Sequence, residues 1–289
     1  MRATGVGWDH NESELFNRPP LRIDDGTAVF SDSTPYTDNY ARIASDHLAS
    51  LVTTGHNPFI SEELWRESEA STRDLVRRYA RPGSRVLDVG VGLGRLLGPL
   101  TELERFGIDI SMDYLRRAAA TGISVVYARV EDMPFRHGTF DLAIATDIFE
   151  HVLDLNDAIA KILDVIKPGG YLLVRSPDRE DLRPYLAPGY PYEYVHLRTF
   201  DEASLRLLFT RVFRCEIVEA LPCGYSAQGP YLRYHIPFPK WSGLVSRGLV
   251  GPLVRVMPFA RDRVLRALYR PIELNVVIRK LLADAPAGA

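Results

Sequence analysis

The chain has 289 residues, of which 46% are apolar, and a formal net charge of −2. A chain of this size buries a full core without disulfide or metal support, and its charge balance excludes a strongly basic nucleic-acid binder. Its two cysteines, Cys215 and Cys223, lack the spacing of a zinc site or a disulfide framework, which favours a cytoplasmic location. The polar N-terminus and the lack of a long apolar run predict neither a signal peptide nor a membrane span.

The first sixty residues are polar and rich in turns, and we expect them to form an N-terminal cap with a helix near 40–51. A second helix is predicted to begin after Ser61, a typical N-cap residue that two glutamates follow. It should end at Pro82-Gly83, since neither residue continues a helix.

From residue 85 onward, short β-branched runs alternate with amphipathic helical segments. The runs predict strands over 85–89, 105–110, 124–129, 140–146, 170–176, 213–220 and 273–279. One helix is expected from about 93, and a second from the end of the second strand to 120. A third is expected over 154–166, and a fourth from the capping-box pattern Thr199-x-x-Glu202 to about 210. This alternation predicts an α/β fold with a Rossmann-like, seven-stranded, mostly parallel sheet and helices on both faces.

The expected organisation has four parts: an N-terminal extension (1–60), the α/β core (61–220), an insertion (221–271), and the last strand with a tail (272–289). About fifty residues between the last two strands are too many for a turn, so they should have structure of their own. The insertion is rich in arginine and is interpreted as a helical lid or dimer patch. Contact with a membrane surface or with an anionic acceptor is the alternative.

A glycine loop follows the first core strand in the segment VLDVGVGLGR, residues 86–95. Glycines allow a sharp turn and a close approach to a ligand, and the helix expected after them would offer free N–H groups. Asp109 ends the second strand, 21 residues after Asp88. A carboxylate at that place can accept hydrogen bonds from both hydroxyls of an adenosine ribose.

The details of the loop distinguish between adenosine-containing cofactors. Dinucleotide-binding loops have the pattern GxGxxG, whereas this chain has GxGxG with Arg95 at the place of the third dinucleotide glycine. Asp88 would repel a pyrophosphate but suits a cationic amino group. S-adenosylmethionine combines an adenosine with a zwitterionic amino-acid tail and satisfies both observations.

Five motifs occur in order between residue 85 and about 220: VLDVGVGLG, FGIDIS, ARVEDMPF, FDLAIATDIFEH and IKPGGYLLVRSPD. With these motifs the segment resembles the class I S-adenosylmethionine-dependent methyltransferases that modify small molecules. The resemblance implies a Rossmann-like methyltransferase domain and S-adenosyl-L-methionine as cofactor, with S-adenosyl-L-homocysteine as the product.

The resemblance also implies roles for single residues. Asp88, Gly90 and Gly92 should line the methionine portion, Asp109 the ribose, Ile110 and Met112 the adenine, Val130 and Glu131 the adenine edge, and Thr146 the methionine carbons. Arg129 departs from the family pattern, because many relatives have an aspartate there. An arginine cannot accept a bond from the adenine amino group, so Glu131 or Asp132 is expected to do so.

Two histidines are the candidates for catalysis. His151 follows the fourth core strand and His196 lies in the loop after the fifth, and ligands of parallel sheets bind outside the carboxyl ends of the strands. Either imidazole could remove a proton from an acceptor hydroxyl. Both are expected to line the site, and the other five histidines lie in less informative contexts.

A metal-assisted alternative stays open. The spacing Asp147-x-x-Glu150-His151, with His196 further on, resembles a metal-binding pattern of small-RNA 2′-O-methyltransferases and ubiquinone-pathway O-methyltransferases. Such a site could hold a divalent cation that lowers the pKa of an acceptor hydroxyl. A metal is not favoured here, because Asp147 is shorter than the glutamate of that pattern and occupies a position that faces the cofactor in relatives.

Segments outside the sheet should determine the acceptor. A tyrosine-rich loop is expected to wall the acceptor pocket through Tyr185, Tyr190, Tyr192 and Tyr194. The N-terminal cap contributes further aromatic and basic residues, of which Trp65 and Arg66 are the candidates near the methionine end of the cofactor.

The expected function is transfer of a methyl group to a hydroxyl of a small molecule in biosynthesis, such as a sugar or polysaccharide precursor or a secondary metabolite. N- or C-methylation and a non-catalytic cofactor-binding subunit are the alternatives. The expected partner is a small-molecule acceptor and not a nucleic acid. A homodimer and peripheral membrane contact through 221–271 are further hypotheses.

Overall fold

The computed structural model describes residues 12–225 and 261–282, together with the isolated positions 248, 250 and 252. The strands are β1 (Arg22–Asp24), β2 (Thr27–Val29), β3 (Arg85–Val89), β4 (Glu104–Asp109), β5 (Ser124–Tyr127), β6 (Phe140–Thr146), β7 (Ile166–Pro177), β8 (Glu216–Cys223) and β9 (Glu273–Arg279). The α-helices are α1 (Pro35–Thr54), α2 (Glu62–Tyr79), α3 (Met112–Ala119), α4 (Leu155–Val165), α5 (Glu202–Leu207) and α6 (Arg261–Leu268). Short 3₁₀ segments cover Glu12–Leu15, Val130–Asp132 and Arg183–Leu186, and a π-helical turn covers Leu208–Val212.

In the described part of the chain, the strands form one sheet in the order β1-β2-β5-β4-β3-β6-β7-β9-β8. The strands from β2 to β7 in this order are parallel, whereas β9 runs antiparallel to β7 and to β8. Chain order reverses between β3 and β6, so a crevice opens where these two strands end. Ligands of open α/β sheets bind at such a switch point.

Both faces of the sheet are buried, which confirms the predicted α/β class. Leu87 and Ala143 belong to one apolar cluster, while Val86 and Leu142 belong to a second. Since successive strand residues point to opposite faces, the two clusters lie on the two sides of the sheet.

The sheet has nine strands in the described residues, whereas the sequence predicted seven. The additional strands β1 and β2 come from the N-terminal extension, and β2 pairs with β5. Phe16 packs on Phe30 and Phe135, which joins this extension to the core. The extension is therefore part of the sheet as well as a cap.

The helix expected from about residue 93 is wrong, because turns cover the segment after the glycine loop. Gly94 has a φ of 72°, a left-handed conformation that no α-helix contains. Pro99 has no N–H to offer, and the side chain of Arg105 donates to the carbonyl oxygen of Gly98 at 2.6 Å. The carbonyl oxygen of Gly98 thus has a side chain as its partner instead of a helical N–H.

Other boundaries differ by a few residues. Helix α5 begins after Asp201 rather than Thr199, because Asp201 and Ser204 form the capping box. Strand β8 lies three residues later than predicted, while β6 and β9 have the predicted bounds. Most of the insertion at 221–271, with its proposed lid, dimer and membrane contacts, lies outside the described residues. Among the described helices, none combines the length and apolar character needed to cross a bilayer.

Candidate active site

A cavity of ≈ 1380 Å³ lies at the carboxyl ends of the central strands. The glycine loop, the residues after β4 and β6, helix α1, and the loop after β7 form its walls. Seven of the nine predicted cofactor-binding residues line it: Gly90, Gly92, Asp109, Ile110, Val130, Glu131 and Thr146. Asp88 and Met112 lie outside the wall.

The glycine loop has a backbone that only glycine can adopt at its first position. Gly90 has a φ of 73°, and a Cβ built on it would lie 2.1 Å from Cδ1 of Ile148. The chain therefore turns from β3 toward the cavity without a side chain in the way. The next glycine, Gly92, donates its N–H to Oδ2 of Asp109 at 2.9 Å, which fixes the loop to the end of β4.

Asp88 is buried near the end of β3, and one of its two carboxyl oxygens, Oδ1, lacks a hydrogen-bond partner among the described residues. Burial raises the pKa of Asp88 well above its usual range, and the neighbouring carboxylate of Asp109 raises it further. Since a buried carboxylate needs a cationic or donor partner, this position fits the ammonium group of an amino-acid ligand.

Asp109 lies in the cavity wall. Backbone N–H groups of Gly92 and Ser111 donate to its two oxygens, each at 2.9 Å. Enclosure in the cavity raises its pKa to about 6, although these amides lower it. The remaining lone pairs of this carboxyl can accept bonds from hydroxyl groups of a ligand.

The adenine end of the predicted site is only partly as expected. Met112 is half-buried against the apolar core and does not line the cavity. Asp132 is bonded to Arg129 at 2.8 Å and to Ser31 at 2.8 Å, whereas Glu131 lines the cavity. Of the two acids considered for the adenine amino group, Glu131 has the better placement.

The two predicted catalytic histidines come together, with ring centroids 4.5 Å apart. Nδ1 of His151 lies 2.8 Å from the hydroxyl of Tyr40, a residue of α1. Burial and the neighbouring His196 lower the pKa of His151 to about 3, so its imidazole is neutral. A neutral imidazole of such low basicity can orient a ligand but is a poor base.

His196 has a different environment. Its Nδ1 is hydrogen-bonded to the carboxylate of Glu180, and the hydroxyl of Tyr185 lies 3.3 Å from the same nitrogen. These contacts fix the ring and leave Nε2 as the nitrogen that can accept a proton. A carboxylate behind an imidazole stabilises the imidazolium that forms when the ring takes up a proton.

Glu150, His151 and His196 each offer one ligand atom, and these atoms all lie within 4.8 Å of one another. Both carboxyl oxygens of Glu150 are buried without a hydrogen-bond partner in the described structure. The fourth member of the metal pattern is not with them, because Asp147 pairs with the guanidinium of Arg175. Three of the four candidate ligands therefore lie together, and Asp147 has a different partner.

Arg175 organises the ends of three strands and was not predicted from the sequence. It lies at the end of β7 with 5% of its surface exposed. Besides Asp147, it contacts Glu273 at 3.9 Å and Thr72 at 3.2 Å. A buried guanidinium thus holds the acids that follow β6 and begin β9.

The segments around the sheet confirm some of the expected wall residues. Trp65 lines the cavity, and the guanidinium of Arg95 lies 3.6 Å from its ring centre. Arg66 is exposed and pairs with Glu62 at 2.8 Å, so its predicted place beside the cofactor is wrong. Of the loop tyrosines, the wall includes Tyr185, Tyr190 and Tyr192. Tyr194 instead packs against Tyr36, at 5.5 Å between ring centres.

Helix α1 contributes wall residues beyond the candidates Trp65 and Arg66 that the sequence analysis chose from the N-terminal cap. Tyr36, Tyr40, Ile43 and His47 all line the cavity. Their spacing of i, i+4, i+7 and i+11 places them on one face of a helix. This stripe was the signal that could have identified His47.

The sequence is similar to those of known methyltransferases. The family model for a methyltransferase domain matches residues 87–174. A ubiquinone/menaquinone biosynthesis C-methyltransferase from Vibrio campbellii is 32% identical over 196 residues, which cover 61% of this chain and 74% of that enzyme. An O-methyltransferase from Penicillium expansum is 27% identical over 176 residues, which cover 56% of this chain and 64% of that enzyme.

The fold is also similar to that of a solved methyltransferase structure. The structure of an S-adenosylmethionine-dependent methyltransferase from Thermotoga maritima superposes with a TM-score of 0.52 at 20% identity, over 85% of this chain and 99% of that chain. The chain spans only 57% and 41% of two other curated relatives, from Methanocaldococcus jannaschii and Streptomyces fradiae. Taken with the motifs, these matches show that the chain belongs to the class I S-adenosylmethionine-dependent methyltransferases.

Proposed function

We propose that this chain transfers the methyl group of S-adenosylmethionine to a hydroxyl group of a small molecule. The observation that carries the proposal is the pairing of His196 with Glu180 in the cavity that also contains the glycine loop and Asp109. Methylation of an alcohol requires removal of its proton, and an imidazole supported by a carboxylate is suited to that task. The similarity to an O-methyltransferase supports the same choice of acceptor atom.

Each residue of the site would have a separate role in the proposed methyl transfer. Asp109 would hold the ribose of the cofactor, and the carboxyl group of Asp88, which does not line the cavity, would attract the cofactor's ammonium group from just before the glycine loop. The bound cofactor supplies a methyl group on a positively charged sulfur. His151 stays neutral and orients the acceptor. Nε2 of His196 takes the hydroxyl proton while the acceptor oxygen forms its bond to the methyl carbon and the bond from that carbon to sulfur breaks. Enclosure by α1 and the tyrosine loop keeps water away from the reaction.

Replacement of the proposed base tests this assignment. His196→Ala should lower kcat by about 10²- to 10⁴-fold, the usual contribution of a general base, and leave cofactor affinity unchanged. Activity is measured by mass spectrometry of hydroxylated acceptors, including sugars, nucleotide-linked sugars and phenols, after incubation with the cofactor. His137→Ala is the matched control, because His137 is exposed and pairs with Asp164 away from the cavity. Wild-type kcat in His196→Ala would contradict the assignment.

Two alternatives, a carbon acceptor and a metal-assisted transfer, each have a specific observation that supports them. The similarity to C-methyltransferases supports carbon as the acceptor atom, and fragmentation of the methylated product distinguishes a new C–C bond from a new O–C bond. The proximity of Glu150, His151 and His196 supports a divalent cation that binds the acceptor hydroxyl. Activity that survives exhaustive chelation would remove the cation from the mechanism.

A further inference from the structure

His47 carries a polar atom that no described protein group satisfies. It lies on the inner face of α1 with 5% of its surface exposed. Its ring packs against Phe59, Trp65 and Tyr114, with centroid separations of 5.9, 5.6 and 5.8 Å. Nε2 is buried without a hydrogen-bond partner among the described residues, although His47 lines the cavity. Buried polar atoms are nearly always bonded to protein, ligand or ordered water, so this one is open to a partner from the cavity.

The hydrogen bond on the other ring nitrogen determines what Nε2 can do. Nδ1 of His47 lies 2.7 Å from the hydroxyl of Tyr114, whose pKa is raised by burial, so the phenol keeps its proton. Burial and the nearby Arg95 lower the pKa of His47, so its imidazole is neutral. Because the phenol has no other acceptor in the described structure, it donates to Nδ1. The ring hydrogen is then on Nε2, which becomes a donor.

The position of this donor complements that of Asp109. Helix α3, which carries Tyr114, begins three residues after Asp109, and both side chains line the same cavity as His47. The Asp109 carboxylate can accept the hydrogen of a hydroxyl but cannot donate to its oxygen. The oxygen of a ribose hydroxyl bound there can accept a hydrogen bond from a second group that lines the same cavity.

We propose that His47 binds the cofactor, by donating a hydrogen bond from Nε2 to a ribose hydroxyl oxygen that is held by Asp109. The N-terminal extension then completes the cofactor site as well as covering it. Tyr114 is a positioning residue that fixes the ring of His47. This inference rests on the proposed function only in that the ligand is an adenosine-containing cofactor.

The test is calorimetric titration of the full chain with S-adenosylhomocysteine near neutral pH. His47→Ala should weaken binding about tenfold, the typical effect of one lost hydrogen bond. His47→Gln should restore most of the affinity, because its amide N–H reaches the place of Nε2. His56→Ala is the matched control and should bind as wild type does, since His56 is exposed at the end of the same segment.

The 2′-deoxy and 3′-deoxy analogues of S-adenosylhomocysteine distinguish a hydrogen bond from packing. Removal of the contacted hydroxyl should cost less affinity in His47→Ala than in wild type. Equal losses for the parent compound and both analogues, without rescue by glutamine, would assign His47 to packing and overturn the inference. Wild-type affinity in His47→Ala would also overturn it but leave the proposed function intact. Absence of binding by folded wild-type protein would instead overturn the proposed function.

Discussion

The carboxyl group of Asp109 lies where the glycine loop meets α3, and its protonation should control cofactor binding. Its pKa of about 6 lies above the usual aspartate range because the cavity encloses it. A ribose hydroxyl donates to the ionised form. As pH falls through about 6, protonation should therefore weaken the affinity for S-adenosylhomocysteine, approaching tenfold per pH unit below that value.

Titration calorimetry between pH 5 and pH 8, with Asp109→Asn as the control, measures this effect. The asparagine variant should bind weakly and without this pH dependence. The stability of the ligand-free protein should respond with the opposite sign. A raised carboxyl pKa contributes stability at low pH that is lost as pH rises through about 6. An affinity that is constant down to pH 5 would contradict the role of an ionised Asp109.

At the residue scale, the sequence predicted the glycine loop and Asp109 but missed the charged partners of His196 and Asp147. Gly90 directly follows β3 and Asp109 ends β4, and the sequence shows both strand-and-loop patterns directly. Glu180 and Arg175 have their roles through partners in other parts of the chain, namely His196 and Asp147. The first pairing depends on how a loop folds back on itself and the second on how two strands align, so the local pattern around either residue contains no sign of them.

At the scale of elements, the ends of β6, β7 and β9 depend on one buried guanidinium. Arg175→Met should destabilise the protein by about 3 kcal/mol, because Glu273 would stay buried, and Asp147 partly buried, without a cation. Urea unfolding measures the loss. Arg206→Ala removes an exposed pair within α5 and should cost less than about 0.5 kcal/mol. Equal stability of the two variants would contradict this role for Arg175.

Element boundaries were predictable where one physical signal dominated. Strands β6 and β9 are short segments rich in buried apolar residues, and α2 begins at the expected N-cap, where Ser61 accepts from the N–H of Leu64 at 3.4 Å. After the glycine loop, apolar spacing indicated a helix, but Gly94 and Pro99 prevent one. The spacing of apolar residues does not show that the backbone at these two residues is incompatible with a helix.

At the scale of the whole molecule, alternation of strands and helices was sufficient to predict the α/β class. It was not sufficient for the edge of the sheet, since β1 and β2 have three residues each and show no periodicity. Phe16 stabilises this edge by packing on Phe30 and on Phe135. Phe135 lies more than a hundred residues further along the sequence, so no local pattern shows this contact. Because α1 follows these strands directly, the same pairing places its tyrosines and His47 over the cavity.

The central claim is that the glycine loop and Asp109 bind S-adenosylmethionine. Calorimetric titration of the folded protein with S-adenosylmethionine and S-adenosylhomocysteine, with Asp109→Ala alongside, tests it most directly. The account predicts saturable binding of both ligands by the wild type and at least a tenfold loss in the variant. Binding that is absent from folded wild-type protein, or unchanged in Asp109→Ala, would contradict the account.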